Sequence, residues 1–160
     1  MQLNKRQFLS CASAGAAMFV FGCGQDASGK TRFAVSFSDA EWKKRLSPAA
    51  YRVLRLEDTE RPYSSALNNE KRTGIFVCAG CDHRLFSSAT KFESGTGWPS
   101  FWRPLQGGIG TRTDYKIGFP RTEVHCARCG GHLGHVFNDG PKPTGKRYCM
   151  NGVAMKFLPG

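Results

Sequence analysis

The chain has 160 residues, 40% of them hydrophobic and 22% charged, which is enough for one domain with a real core and excludes wholesale disorder. Its 19 glycines and 8 prolines favour turns and short strands over long helices, and no G-x-G-x-x-G fingerprint or Walker loop points to an α/β nucleotide enzyme. A formal net charge of +11 permits contact with nucleic acid or anionic membrane without establishing it.

Residues 1–22 carry Lys5, Arg6 and no acid, so +9 of the charge belongs to the remainder. The apolar or small run 8–22 follows, and this order predicts an export signal, too short for a spanning helix. Lys5-Arg6-Gln7-Phe8-Leu9 resembles a twin-arginine signal with Lys in the first position, and Val20-Phe21-Gly22-Cys23 resembles a bacterial lipobox with an unusual Phe21. Cys23 is therefore a candidate lipid anchor. The alternatives are ordinary cleavage nearby or an uncleaved anchor. Residues 23–37 begin small and polar and read as a tether to a domain over 38–160.

Ser38-Asp39-Ala40-Glu41 is a capping box, and Trp42 and Leu46 then share one helical face. Ser47-Pro48 starts a second short helix that continues from Ala49 to Leu54. Beyond Thr59 the pattern turns to brief β-like runs at 75–78, 84–86, 101–103, 115–119, 123–125, 135–137 and 153–157. The expected fold is mainly β and antiparallel, with short N-terminal helices as cover.

Cys78-Ala79-Gly80-Cys81 and Cys126-Ala127-Arg128-Cys129-Gly130 form two Cys-x-x-Cys units. Two residues between thiolates let both sulfurs reach one ion around a tight turn, and two such turns complete a tetrahedral site. Gly80 and Gly130 suit the positive φ such turns require. The alternative is disulfides or a redox-active pair, which export makes more plausible. A bond across two residues, however, closes a strained loop and staples little of the chain. One structural zinc per chain is expected, with no position open to substrate.

Apart from Cys11, Cys23 and these four, Cys149 is the remaining cysteine. It lies in Gly145-Lys146-Arg147-Tyr148-Cys149-Met150-Asn151, where strand alternation would put Arg147, Cys149 and Asn151 on one face. A cation beside a thiol favours the nucleophilic thiolate, although a lone Cys is commonly a buried structural residue. His132 and His135 are three apart, so a regular strand would point them oppositely; a bend at Gly134 would let them converge as acid, base or donor. Trp98, on the constrained loop SGTGWPSF (94–101), is a candidate pocket wall or a core residue.

Together these segments, with GHLGHVFNDGP (131–141), TERPYSS (59–65) and LFSSATKF (85–92), resemble the B-type methionine-R-sulfoxide reductases over about residues 38–160. The resemblance implies a β-tent of two antiparallel sheets with a structural zinc away from the site. It implies reduction of the R epimer of methionine sulfoxide in oxidised proteins and peptides, through a Cys149 sulfenic acid. It places His132, His135 and Asn151 around the sulfoxide, Trp98 against its methyl group, Phe137 in the pocket wall and Arg147 beside the thiolate. Many members carry a resolving Cys where this chain has Thr96; Cys23 could replace it only if it stays unlipidated and reaches the pocket, and otherwise a thioredoxin-like protein or small thiol is the expected reductant. A monomer in the bacterial cell envelope or periplasm is expected, tethered if Cys23 is lipidated. A zinc-ribbon nucleic-acid module would explain the four cysteines and the charge, but not the leader, Cys149 or the histidine pair; no nucleic-acid partner is expected.

Overall fold

Residues 32–160 are described by a computed structural model; the segment 1–22 expected to be an export signal, Cys11, Cys23 and most of the expected tether lie outside the described residues. The end of the expected tether is docked on the domain. Val35 N–H donates to the Arg128 carbonyl at 2.9 Å, and the Phe33 ring meets His125 edge-on, with centroids 5.7 Å apart.

Helix α1 spans Asp39–Arg45. Both arms of its capping box form: Glu41 N–H donates to Ser38 Oγ at 3.4 Å, and Ser38 N–H to Glu41 Oε2 at 2.8 Å. Helix α2 spans Pro48–Leu56, with Ser47 as N-cap and proline where no amide partner is needed. Trp42 and Leu46 are buried with Tyr51, Val53 and Leu54, so one face of each helix closes the core.

Nine strands make two antiparallel sheets among the described residues. The small sheet has the order β2-β1-β9, from Arg84–Ser87, Gly74–Cys78 and Met155–Pro159. The large sheet runs β3-β4-β8-β7-β6-β5. Its strands are β3 Lys91–Phe92, β4 Ser100–Phe101, β8 Arg147–Met150, β7 His132–Phe137, β6 Arg121–Cys126 and β5 Ile109–Asp114. The core lies where the sheets meet. Phe86 of β2 stacks on Phe101 of β4 with centroids 4.4 Å apart, and Phe76 of β1 packs edge-on against Phe101 at 4.9 Å. These rings, Leu133 and Met150 are fully buried.

Three strand expectations change. The run 101–103 stops at Phe101, the end of β4. Segment 115–119 carries large apolar residues at alternate positions, Tyr115, Ile117 and Phe119, but is the turn joining β5 to β6. Gly118 sits at φ +85 and its N–H closes on the Tyr115 carbonyl at 3.0 Å, while Asp114 Oδ1 accepts the Lys116 N–H at 2.8 Å. Conversely, β5 is largely polar and none of its residues is fully buried, and it is a strand because each residue from Ile109 to Asp114 pairs with β6. The last run begins as a 3-10 turn, Gly152–Ala154, with the strand starting at Met155.

Candidate active site and metal centre

The ends of β1 and β6 bring the two Cys-x-x-Cys turns together, and all four Sγ atoms lie within 4.8 Å of one another. Cys78 and Cys129 sulfurs are 3.7 Å apart, and those of Cys81 and Cys126 are 3.6 Å apart. Four thiolates about 2.3 Å from one ion, the zinc–sulfur distance, would be about 3.8 Å apart at the corners of a tetrahedron. The cluster therefore fits a metal ion and is not disulfide-bonded. Gly130 has φ +68, as expected, but the left-handed residue after the first turn is Asp82, at φ 57, and not Gly80. Gly80 is closely packed: a Cβ there would lie 3.3 Å from the Trp42 ring.

Cys149 lies mid-strand on β8, opposite Ser100 of β4 and His135 of β7. It opens on a cavity of about 140 Å³ whose wall includes Trp98, His135, Phe137 and Asn151, together with Thr59 and Arg121. None of the four clustered cysteines lines it.

The histidines converge through register. Val124 pairs with Gly134 and His125 with His132, so Leu133 is an extra residue in β7. That bulge cancels one step of alternation and puts His132 and His135 on the same side, ring centroids 5.3 Å apart. Gly134 is required there, because a Cβ would meet the Cys149 carbonyl oxygen at 2.1 Å. His135 reaches the cavity, whereas His132 is buried behind it.

Each histidine is held by a carboxylate, and each carboxylate by an arginine. His132 Nδ1 donates to Glu123 Oε1 at 2.8 Å, and Arg112 pairs with the same carboxylate. His135 Nε2 donates to Asp114 Oδ2 at 2.7 Å, where Arg121 also donates at 2.5 Å. Arg112 faces Glu123 and Asp114 faces Arg121 across the β5–β6 ladder, so one hairpin supplies both pairs. Burial pushes the His135 pKa below its usual value, with the Asp114 hydrogen bond opposing. Asp114 is held far below the carboxylate range, first by the Lys116 amide and then by His135. Burial works against ionisation of Glu123, but the hydrogen bonds from His132 and Arg112 outweigh it.

Arg147 does not line the cavity. Its guanidinium donates to both oxygens of Asp139, at 2.9 and 2.8 Å, and stacks 4.5 Å from the Phe137 ring centroid. Its pKa is raised first by Asp139, with the nearby Cys149 sulfur adding to it. Asn151 lies just beyond β8, not on the strand. Its amide donates to the Leu133 carbonyl at 3.0 Å and its oxygen accepts the Glu60 N–H at 2.9 Å, so it also pins the bulge.

Sequence reasoning did not single out Glu123, Asp114 or Glu60. Glu60 ties the site together: its carbonyl accepts Trp98 Nε1–H at 3.1 Å and its carboxylate accepts the Gly152 and Val153 amides at 2.5 and 3.0 Å. An acid inside the TERP turn is its one sequence signal. Thr96 Oγ1 lies 3.8 Å from Cys149 Sγ and continues through Ser94 to Ser100 as a chain of hydroxyls.

A family profile described as the SelR domain matches residues 46–159. The chain is 52% identical over 126 residues to the peptide methionine sulfoxide reductase MsrB of Leptospira interrogans, covering 78% of this chain and 96% of that protein. It is 54% identical over 125 residues to the protein of the same name from Methanosarcina barkeri, covering 78% and 88%. A third similar protein of that name, from Agrobacterium fabrum, is 50% identical over 126 residues, covering 78% and 93%.

Proposed function

This chain belongs to the MsrB/SelR family of methionine sulfoxide reductases, and we propose that it reduces the R epimer of methionine sulfoxide in oxidised proteins and peptides. The observation that carries the reading is one cysteine, Cys149, set apart from the other four described and opening on a cavity with aromatic walls and a histidine. Trp98 and Phe137 receive the apolar S-methyl end of the side chain.

The Cys149 thiolate attacks the sulfoxide sulfur, and His135 delivers a proton to the sulfoxide oxygen. The oxygen passes to Cys149 as a sulfenic acid, and methionine leaves as the thioether. Two equivalents of thiol then return Cys149 to the thiol, releasing water and a disulfide. Arg147 stabilises the thiolate. His132, with Glu123, backs His135, and Asn151 fixes the bulge that aims both. Thr96 offers Cys149 a hydroxyl and no second sulfur, so unless an unlipidated Cys23 reaches the pocket the reducing thiol comes from outside: a thioredoxin-like protein or a small thiol.

Zinc is the ion the four cysteines suit, by thiolate chemistry and spacing. Bound there, it would hold the two knuckles together and supply no reactive position. The leader 1–22 takes the chain to the bacterial cell envelope, with Cys23 lipidated or cut free. Mass spectrometry of the native N-terminus decides between them.

The test uses the full chain, dithiothreitol and the separated sulfoxide epimers. Turnover of the R epimer alone, with dimedone trapping one sulfenic acid at Cys149 when the reductant is withheld, is the expected result. Equal turnover of the S epimer, or no turnover, overturns the reading.

A further inference from the structure

Three large side chains stand out in the turn between β5 and β6. Tyr115, Ile117 and Phe119 are 68%, 52% and 58% exposed, and Leu56 at the end of α2 is 56% exposed. Turn tips ordinarily carry polar residues, and a cluster of exposed apolar ones marks a binding surface.

The turn is held in place. Lys116 Nζ pairs with Glu57 Oε2 at 2.6 Å and reaches the Leu56 carbonyl at 3.4 Å, while Arg112 pairs with Glu57 Oε1 at 2.5 Å. These contacts bring the turn beside the end of α2, so Leu56 joins the same patch. The patch adjoins the cavity that holds Cys149. Phe119 is two residues from the wall residue Arg121 and Leu56 three from the wall residue Thr59, separations of at most about 7 and 11 Å.

We propose that this patch docks the polypeptide that flanks the oxidised methionine, and that it selects extended segments with apolar side chains two or three positions from the sulfoxide. The inference rests on the function proposed above. A cavity of about 140 Å³ takes one side chain, so the chain carrying it must cross the rim. Successive residues of an extended segment advance about 3.3 Å, which carries the second and third neighbours onto the patch. Charge argues for polypeptide over anionic lipid. Lys116, Arg112 and Arg121 beside the patch each face a carboxylate, Glu57, Glu123 or Asp114, whereas a lipid-binding surface needs cations free for headgroups.

The test compares Ile117→Asp and Phe119→Asp with the unmutated full chain on three probes. These are N-acetyl-methionine sulfoxide amide, a peptide with Leu and Phe flanking a central methionine sulfoxide, and the same peptide with Ser and Asp in those positions. Both variants should raise KM for the apolar-flanked peptide about tenfold while leaving kcat and KM for the amide unchanged. Leu56→Ser, on a different element, should act in the same direction. Unchanged KM for the apolar-flanked peptide in all three variants overturns the proposal. So does loss of binding to phosphatidylglycerol vesicles with peptide KM unaltered. Binding of the labelled apolar-flanked peptide to Cys149→Ser protein, read by anisotropy, separates the two readings. If the unmutated chain turns over nothing but Ile117→Asp still weakens this binding, the docking surface stands and the proposed function falls. If the chain turns over the amide but Ile117→Asp leaves binding unchanged, the reverse holds.

Discussion

Four cysteines at the joined ends of β1 and β6 face one another, while Cys149, mid-strand in β8, faces a histidine, a threonine hydroxyl and an arginine. The first group sits in turns closed by backbone bonds, such as Cys78 N–H to the His83 carbonyl and Gly130 N–H to the Cys126 carbonyl, each at 2.8 or 2.9 Å. Its neighbours are core side chains, and Cys78, Cys126 and Cys129 are buried. Cys149 is half-buried and opens on a cavity. The same side chain thus stands in two settings suited to two different jobs, and what surrounds the sulfur sets them apart. Thiolates that face one another are placed to share an ion, which would withdraw them from chemistry. A thiolate that faces donors and space is left to react.

The sharpest way to break this division is to exchange the reactive sulfur for oxygen. Cys149→Ser should lower kcat/KM on the order of 10⁴-fold or more, because an alcohol is a far poorer nucleophile at neutral pH. Its metal content and circular dichroism should match the unmutated protein. Loss of metal in this variant would show that the two regions are not separate.

Cys126→Ser tests the other region. Metal analysis should fall from one ion per chain to none, and Tm should drop by at least about 10 °C, since a structural site contributes folding free energy directly. Molecules that remain folded should keep most of their kcat. A variant that keeps its Tm but loses its chemistry would contradict the structural role.

Asp114→Asn sharpens the reactive side. Asp114 opposes the burial that lowers the His135 pKa, so its removal lowers that pKa further. Above its pKa, the doubly protonated imidazole falls tenfold per pH unit. The loss in kcat/KM should therefore be largest on the alkaline side of the His135 pKa and should shrink as the pH falls and the imidazole becomes doubly protonated in both proteins. A loss of equal size at every pH would mean that Asp114 acts on structure alone.

The smallest change is Thr96→Cys. Its sulfur replaces a hydroxyl 3.8 Å from Cys149 Sγ. The sulfenic acid should then condense to an internal disulfide with loss of water, read as two hydrogens below the reduced mass. Recycling by a thioredoxin-like reductant should quicken a few-fold. A persistent dimedone adduct would show that the loop does not bring the two sulfurs together.

How much of this was legible in the chain itself depends on range. Ser38 with Glu41 and Ser47 with Pro48 announce their helices because a cap is completed within three residues. The paired Cys-x-x-Cys spacing announces four ligands because each turn is local, and the motifs around Trp98, His135 and Cys149 carry the family resemblance. Tertiary structure decided the rest. The polar run Ile109–Asp114 is a strand because β6 pairs with it, and the run 115–119, apolar at alternate positions, is a turn because Asp114 and Gly118 close it. Glu123 and Asp114 look like ordinary surface acids until the β5–β6 register sets each opposite an arginine and under a histidine. His132 and His135 share a side because Leu133 is one residue too many against β6, and a bulge is a property of two strands that neither carries alone.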